Sequence, residues 1–82
     1  MTPRLPRDLG GPELIRALKH QGYVLTRVVG SHARLTHPGP PEHHLTIPRH
    51  DVLKIGTLSS ILDDLGRAWN ATRTEVLARL FP

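Results

Sequence analysis

Tyr23-Val24-Leu25-Thr26-Arg27-Val28-Val29-Gly30-Ser31-His32-Ala33-Arg34-Leu35-Thr36-His37 is the stretch from which the fold is read. Apolar and β-branched residues lie on both sides of Gly30-Ser31, so this pair reads as a tight hairpin turn between two strands. A histidine, His32, therefore opens the second strand. Side chains alternate across a strand, which places His32, Arg34 and Thr36 on one face and Ala33, Leu35 and His37 on the other. One face offers a titratable imidazole beside a fixed cation, and the other offers apolar bulk. A third run, His43-His44-Leu45-Thr46-Ile47, can pair next in an antiparallel sheet, with Leu45 and Ile47 on its apolar side.

The segments around the strands supply a cover for that apolar side. Before them, Gly11-Pro12-Glu13 predicts a helix start, with glycine as a permissive cap, proline at the first helical position and an acid near the positive end of the dipole. Leu14, Ile15 and Leu18 fall at helical spacing, Lys19 and His20 read as a solvated end, and Gly22 reads as the C-terminal cap. Between strands two and three, Pro38-Gly39-Pro40-Pro41-Glu42 must be a loop. Past Pro48, residues 49–55 read as a linker or single turn. A second helix, capped at Gly56-Thr57, then carries Leu58, Ile61, Leu62 and Leu65 at i, i+3, i+4 and i+7, and Gly66 is expected to end it. Trp69 falls in a linker, as a hydrophobic plug or partner contact rather than a base-stacking surface, since an isolated aromatic makes no platform. A third helix follows, announced by the capping-box spacing of Thr72 and Glu75 ahead of Val76, Leu77 and Leu80.

At 82 residues the chain is one small domain, with little room for a deep enclosed substrate cavity. The first ten residues, with Pro3, Pro6 and Gly10 among Arg4, Arg7 and Asp8, read as a flexible tail, and residues 11–82 as the domain. Eleven Lys and Arg against seven Asp and Glu give a net charge of +4, which favours an anionic partner. The absence of cysteine excludes disulfides, a thiol nucleophile and cysteine-based zinc sites. Of the six histidines, His37, His43, His44 and His50 invite a metal assignment. Adjacent strand residues point to opposite faces, however, and no acid or cysteine stands at ligand spacing, so no metal is expected. No run is long enough to span a membrane and no signal-peptide core is present, so the expected location is the cytoplasm.

The elements thus predict an α+β fold in the order α-β-β-β-α with an extra C-terminal helix, a three-stranded antiparallel sheet covered on one face by helices. This is the arrangement of double-stranded-RNA-binding domains. More specifically, Gly11-Pro12-Glu13-Leu14-Ile15, Leu18-Lys19, Gly22-Tyr23, Gly30-Ser31-His32, His37-Pro38, Thr46-Ile47-Pro48-Arg49-His50, Lys54, Gly56-Thr57-Leu58 and Ile61-Leu62, in that order, resemble the HicA toxin family over roughly residues 11–65. The resemblance implies a small mRNA interferase with a double-stranded-RNA-binding-like fold, neutralised by a HicB-like antitoxin, and it implies that His32 is the catalytic residue. Family sequences commonly carry arginine after Gly-Thr-Leu and a basic residue after the following Ile-Leu. Here those places hold Ser59 and Asp63.

RNA carries its own nucleophile, the 2′-hydroxyl. Cleavage needs a base to take that proton, cations to stabilise charge on phosphorus, and a proton for the leaving 5′-oxygen. His32 suits the first or the last role, because imidazole exchanges protons near neutral pH. Arg34 can grip the phosphate in bidentate fashion, and Lys54 is the next candidate cation. Ser31 either orients His32 or stabilises the turn, and His50 is a possible supporting residue. No metal or other cofactor is required by this scheme. The expected partners are mRNA and the antitoxin, with a monomeric toxin outside that complex. The alternative is a non-catalytic RNA-binding or protein-interaction module of the same fold, in which the basic charge supplies phosphate contacts and the histidines are incidental.

Overall fold

The structure, a computed structural model, describes residues 6–82. Its elements are α1 (Gly11–His20), β1 (Val24–Val29), β2 (His32–His37), β3 (His43–Pro48), α2 (Ile55–Trp69) and α3 (Arg73–Leu80). The sheet order is β1-β2-β3 with both pairings antiparallel, which is the predicted α+β architecture with its additional C-terminal helix. Ala33, Leu35, Leu45 and Ile47 are buried together with Leu14 and Leu18 of α1 and Leu58, Ile61, Leu62 and Leu65 of α2. Every other residue of β2 and β3 thus meets helices, and the opposite face of the sheet stays open.

Gly30 has φ +58° and takes the first central position of the β1–β2 turn, where a type II′ hairpin calls for glycine. From the turn outward the register runs Val29↔His32, Val28↔Ala33, Arg27↔Arg34, and then slips so that Leu25 lies opposite Leu35. This β-bulge keeps Leu25 on the side of Leu35. It also brings the Thr26 hydroxyl to the open face, 3.1 Å from that of Thr36.

The helix boundaries correct the sequence reading in three places. The cap of α1 is Gly10, while Gly11 serves close packing: a Cβ there would lie 1.9 Å from the Pro48 carbonyl oxygen. Lys54 is the N-cap residue of α2, ahead of Gly56-Thr57. Most consequentially, α2 runs through Gly66 to Trp69 and stops at Asn70, whose left-handed φ of 51° lets the Ala71 N–H reach the Gly66 carbonyl at 2.9 Å. Trp69 therefore belongs to the last turn of α2 and not to a linker.

The capping box of α3 forms in both directions between Thr72 and Glu75, and Val76 and Leu80 are buried. The Arg73 guanidinium donates to Ser59 Oγ at 2.8 Å and to Asp63 Oδ1 at 2.5 Å. Ser59 and Asp63, which stand where the resembled family carries basic residues, thus dock α3 onto α2. Residues 1–5, including Arg4 of the segment read as a tail, lie outside the described residues. Leu9 is buried, and its carbonyl accepts the Leu53 N–H at 2.8 Å. No helix among the described residues is long and apolar enough to cross a membrane.

Candidate functional site

Directly opposed residues of antiparallel strands share a face, with Cβ atoms about 4.5–5.5 Å apart. The open face therefore presents three rows across β1, β2 and β3. Val29, His32 and Pro48 form the row nearest the turn; Arg27, Arg34 and Thr46 form the next; Val24, Thr36 and His44 form the third. His32, Arg27, Arg34, Thr46 and His44 are all exposed. The central strand thus sets an accessible imidazole one row from two opposed guanidinium groups. Like charges facing each other destabilise a sheet, and an anion bound between them relieves that repulsion. Arg27 is the residue that face alternation within β2 alone does not reveal. Counting back through the two-residue turn, from Val29 opposite His32, does reveal it.

The turn before His32 is held from the segment that follows β3. The Arg49 N–H donates to the Ser31 carbonyl at 2.6 Å, and Arg49 Nη2 donates to the Gly30 carbonyl at 3.3 Å. Ser31 thus takes part through its backbone, in the turn. His50 follows Arg49, with an exposed side chain, and its carbonyl accepts the Gly11 N–H at 2.9 Å. Lys54 begins α2 on the helix-covered side of the sheet and is exposed. Neither His50 nor Lys54 joins the rows that contain His32 and Arg34.

Farther from the turn, polar groups are chained across the open face. The Thr26 and Thr36 hydroxyls are in contact, Thr36 Oγ1 meets His44 Nδ1 at 2.8 Å, and Glu42 Oε1 lies 3.7 Å from His44 Nε2. His37 and His43 belong to the opposite, helix-covered face. There the Tyr23 hydroxyl and His43 Nδ1 share a hydrogen bond of 2.6 Å, and the Gly39 N–H donates to His37 Nδ1 at 3.0 Å. Of the four histidines that invite a metal reading, His37 and His43 share the covered face, His44 lies on the open face and His50 follows β3. Among the described residues no three His, Asp or Glu side chains cluster in a way that could hold a metal ion.

Burial pushes the His43 imidazole below its ordinary value of 6.5; His44 and His37 add to the depression and the Asp64 charge partly offsets it. Burial likewise raises the Tyr23 phenol above 10.0, against a smaller opposing effect of the Trp69 hydrogen bond, so the phenol keeps its proton. Since His43 is harder to protonate folded than unfolded, the unfolded chain binds more protons just below pH 6.5. Its contribution to stability is complete above that pH and is lost as the pH falls through the lowered value. Urea midpoints measured from pH 8 to pH 5 are expected to decline below 6.5, and His43→Phe is expected to flatten part of that decline. An unchanged slope in the variant would rule out His43 as its source.

The model of the family described as HicA toxin of bacterial toxin-antitoxin matches residues 11–66 of the 82. No curated protein and no solved structure matches. The matched segment contains all three strands and most of α2, while the last turn of α2 and the whole of α3 lie beyond it.

Proposed function

The chain belongs to the HicA toxin family, and from that premise we propose that it cuts messenger RNA without a metal ion, with His32 as general acid or base. Membership makes it the toxin of a toxin-antitoxin pair, in a family that generally acts as an RNase and is matched to a HicB-type antitoxin. The observation that carries the finer reading is the exposed imidazole of His32 on the central strand, one row from the opposed Arg27–Arg34 pair.

In the proposed reaction the 2′-oxygen bonds to phosphorus while the bond to the 5′-oxygen breaks, leaving a 2′,3′-cyclic phosphate and a 5′-hydroxyl. His32 handles the proton at one end of this in-line displacement and water handles it at the other. Arg27 and Arg34, permanently charged and able to bind two phosphate oxygens each, neutralise the charge that builds on the non-bridging oxygens. The substrate supplies the nucleophile and the guanidinium groups supply the charge, so a metal ion has no role to fill. Ser31 fixes the turn that presents His32. Lys54 and His50, which lie off the rows that contain His32, take no part in this scheme. The antitoxin silences the toxin by covering the open face, and the cytoplasm, where mRNA is found, is the site of action.

The test is to incubate the purified chain with single-stranded RNA in excess EDTA and to analyse the product ends. Fragments with cyclic phosphate and 5′-hydroxyl termini are expected. Cleavage only on adding a divalent ion would overturn the metal-free scheme. RNA that is bound and left intact would establish the non-catalytic binding module instead.

A further inference from the structure

The end of the sheet remote from His32 closes, on its helix-covered side, around a cavity of about 200 Å³ lined by Gln21, Tyr23, His37, His43, Trp69 and Arg79. We propose that this cavity receives a single unpaired nucleobase of the RNA whose backbone lies on the open face. The proposal rests on the reading of the chain as an RNA-cleaving toxin.

The lining suits a flat heterocycle. The only tryptophan and the only tyrosine of the chain meet here, with ring centroids 6.5 Å apart, and the Arg79 guanidinium sits 5.4 Å from the centroid of the Trp69 ring. Aromatic rings and guanidinium planes are the surfaces on which unpaired bases stack. Size selects for one base: the volume falls below the roughly 300–1,000 Å³ of sites for larger ligands. The loop at Pro40 and Pro41 forms a further wall, rigid because proline fixes its own backbone angle.

Polar groups at the cavity complete the match. Tyr23 and His43 satisfy each other. His37 and Gln21 keep bonding capacity. His37 Nδ1 accepts the Gly39 N–H, so in the neutral ring the hydrogen is on Nε2, a donor. Gln21 Nε2 donates to the Arg79 carbonyl at 3.0 Å, which leaves the amide oxygen as an acceptor. One donor and one acceptor beside stacking surfaces are what hydrogen bonding to the edge of a base requires.

The location connects the cavity to the cut. His37 and His32 are the two ends of β2, about 17 Å apart along the strand, a span that a few nucleotides of extended RNA cover. At the cavity end, His43 faces the cavity while its neighbour His44 faces the open side, so a strand passing His44 turns over the edge of β3 to deliver its base. Trp69 and Arg79 lie beyond the family-matched segment, while Gln21, Tyr23, His37 and His43 lie within it. The consequence of the cavity is a base preference set a few nucleotides from the scissile bond.

Trp69 fluorescence reports on the cavity directly. The full chain is titrated with the four ribonucleoside 5′-monophosphates and with a 2′-O-methyl oligoribonucleotide long enough to span from His32 to the cavity, which lacks the attacking hydroxyl and stays intact. Saturable quenching is expected from the monophosphates, stronger for one base, and at lower concentration from the oligonucleotide. Arg79→Ala and Gln21→Ala, checked for native circular dichroism, are each expected to weaken binding by roughly 2- to 13-fold, the loss of about one hydrogen bond. No quenching from an oligonucleotide that binds by anisotropy overturns the base site and leaves the nuclease reading intact. Quenching by monophosphates alone assigns the cavity to free nucleotides, and quenching only by a purified antitoxin assigns it to protein docking; either result overturns the proposal. Quenching by both nucleotide probes, with no RNA cleavage in a parallel assay, supports the base site and removes the nuclease.

Discussion

His32→Ala is expected to slow RNA cleavage by on the order of 100- to 10,000-fold, the usual contribution of a positioned proton-transfer group, with little effect on folding or RNA affinity. His32 is exposed at the start of β2, so truncating it opens no hole in the core, and surface substitutions of this kind usually change stability by about 0.5 kcal/mol or less. The groups proposed to hold phosphate, Arg27 and Arg34, occupy the neighbouring row and survive the change. Single-turnover cleavage, affinity for an uncleavable 2′-O-methyl RNA and thermal unfolding are measured in parallel. The expected pattern is a collapse of the first with the other two near wild type. In cells the variant should lose growth arrest while still titrating the antitoxin. Equal cleavage by the two proteins would remove His32 from the chemistry and shift attention to His44, the other histidine of the open face.

The parts of this site visible in the sequence are those governed by local rules. Period-two alternation beside Gly30-Ser31 assigns the faces of β2, and the stripe of Leu58, Ile61, Leu62 and Leu65 predicts the helix that buries the inner one. Arg27 has no such signal, because β1 is exposed along its whole length and apolar on both faces, so its pattern carries no contrast between inside and outside. Gly66 misleads for a different reason. A glycine ends a helix when it adopts a left-handed conformation, but here Asn70 takes that role, and Gly66 is needed small: its Cβ would lie 2.9 Å from the Ala71 carbonyl oxygen. Ser59 and Asp63 acquire meaning only through Arg73, which lies on another helix. The cavity around Trp69 likewise draws its lining from the residue that caps α1, the strand ends, α2 and α3, a convergence that no local pattern announces.

Gly11→Ala is expected to destabilise the protein by about 3 kcal/mol or more, whereas Gly56→Ala is expected to stabilise it by roughly 0.4–1 kcal/mol. Both glycines are within the first two residues of a helix, where alanine is the better helix former, so propensity alone predicts a gain at each. Packing separates them. A Cβ at position 56 meets nothing within 4 Å, while one at position 11 would lie 1.9 Å from the Pro48 carbonyl oxygen and 2.9 Å from Arg49 Cα. Backbone on both sides leaves no flexible side chain to yield, so α1 must move off the end of β3. That movement strains the Gly11 N–H bond to the His50 carbonyl and disturbs Arg49, whose bonds to Gly30 and Ser31 hold the turn. The melting temperature of Gly11→Ala should fall by more than about 12 °C for a domain of this size, and cleavage by the folded fraction should fall with it, because the displaced segment supports the turn that presents His32. A Gly11→Ala protein as stable as wild type would show that α1 and β3 do not approach this closely, and Arg49 would lose its place as the link between the fold and the site.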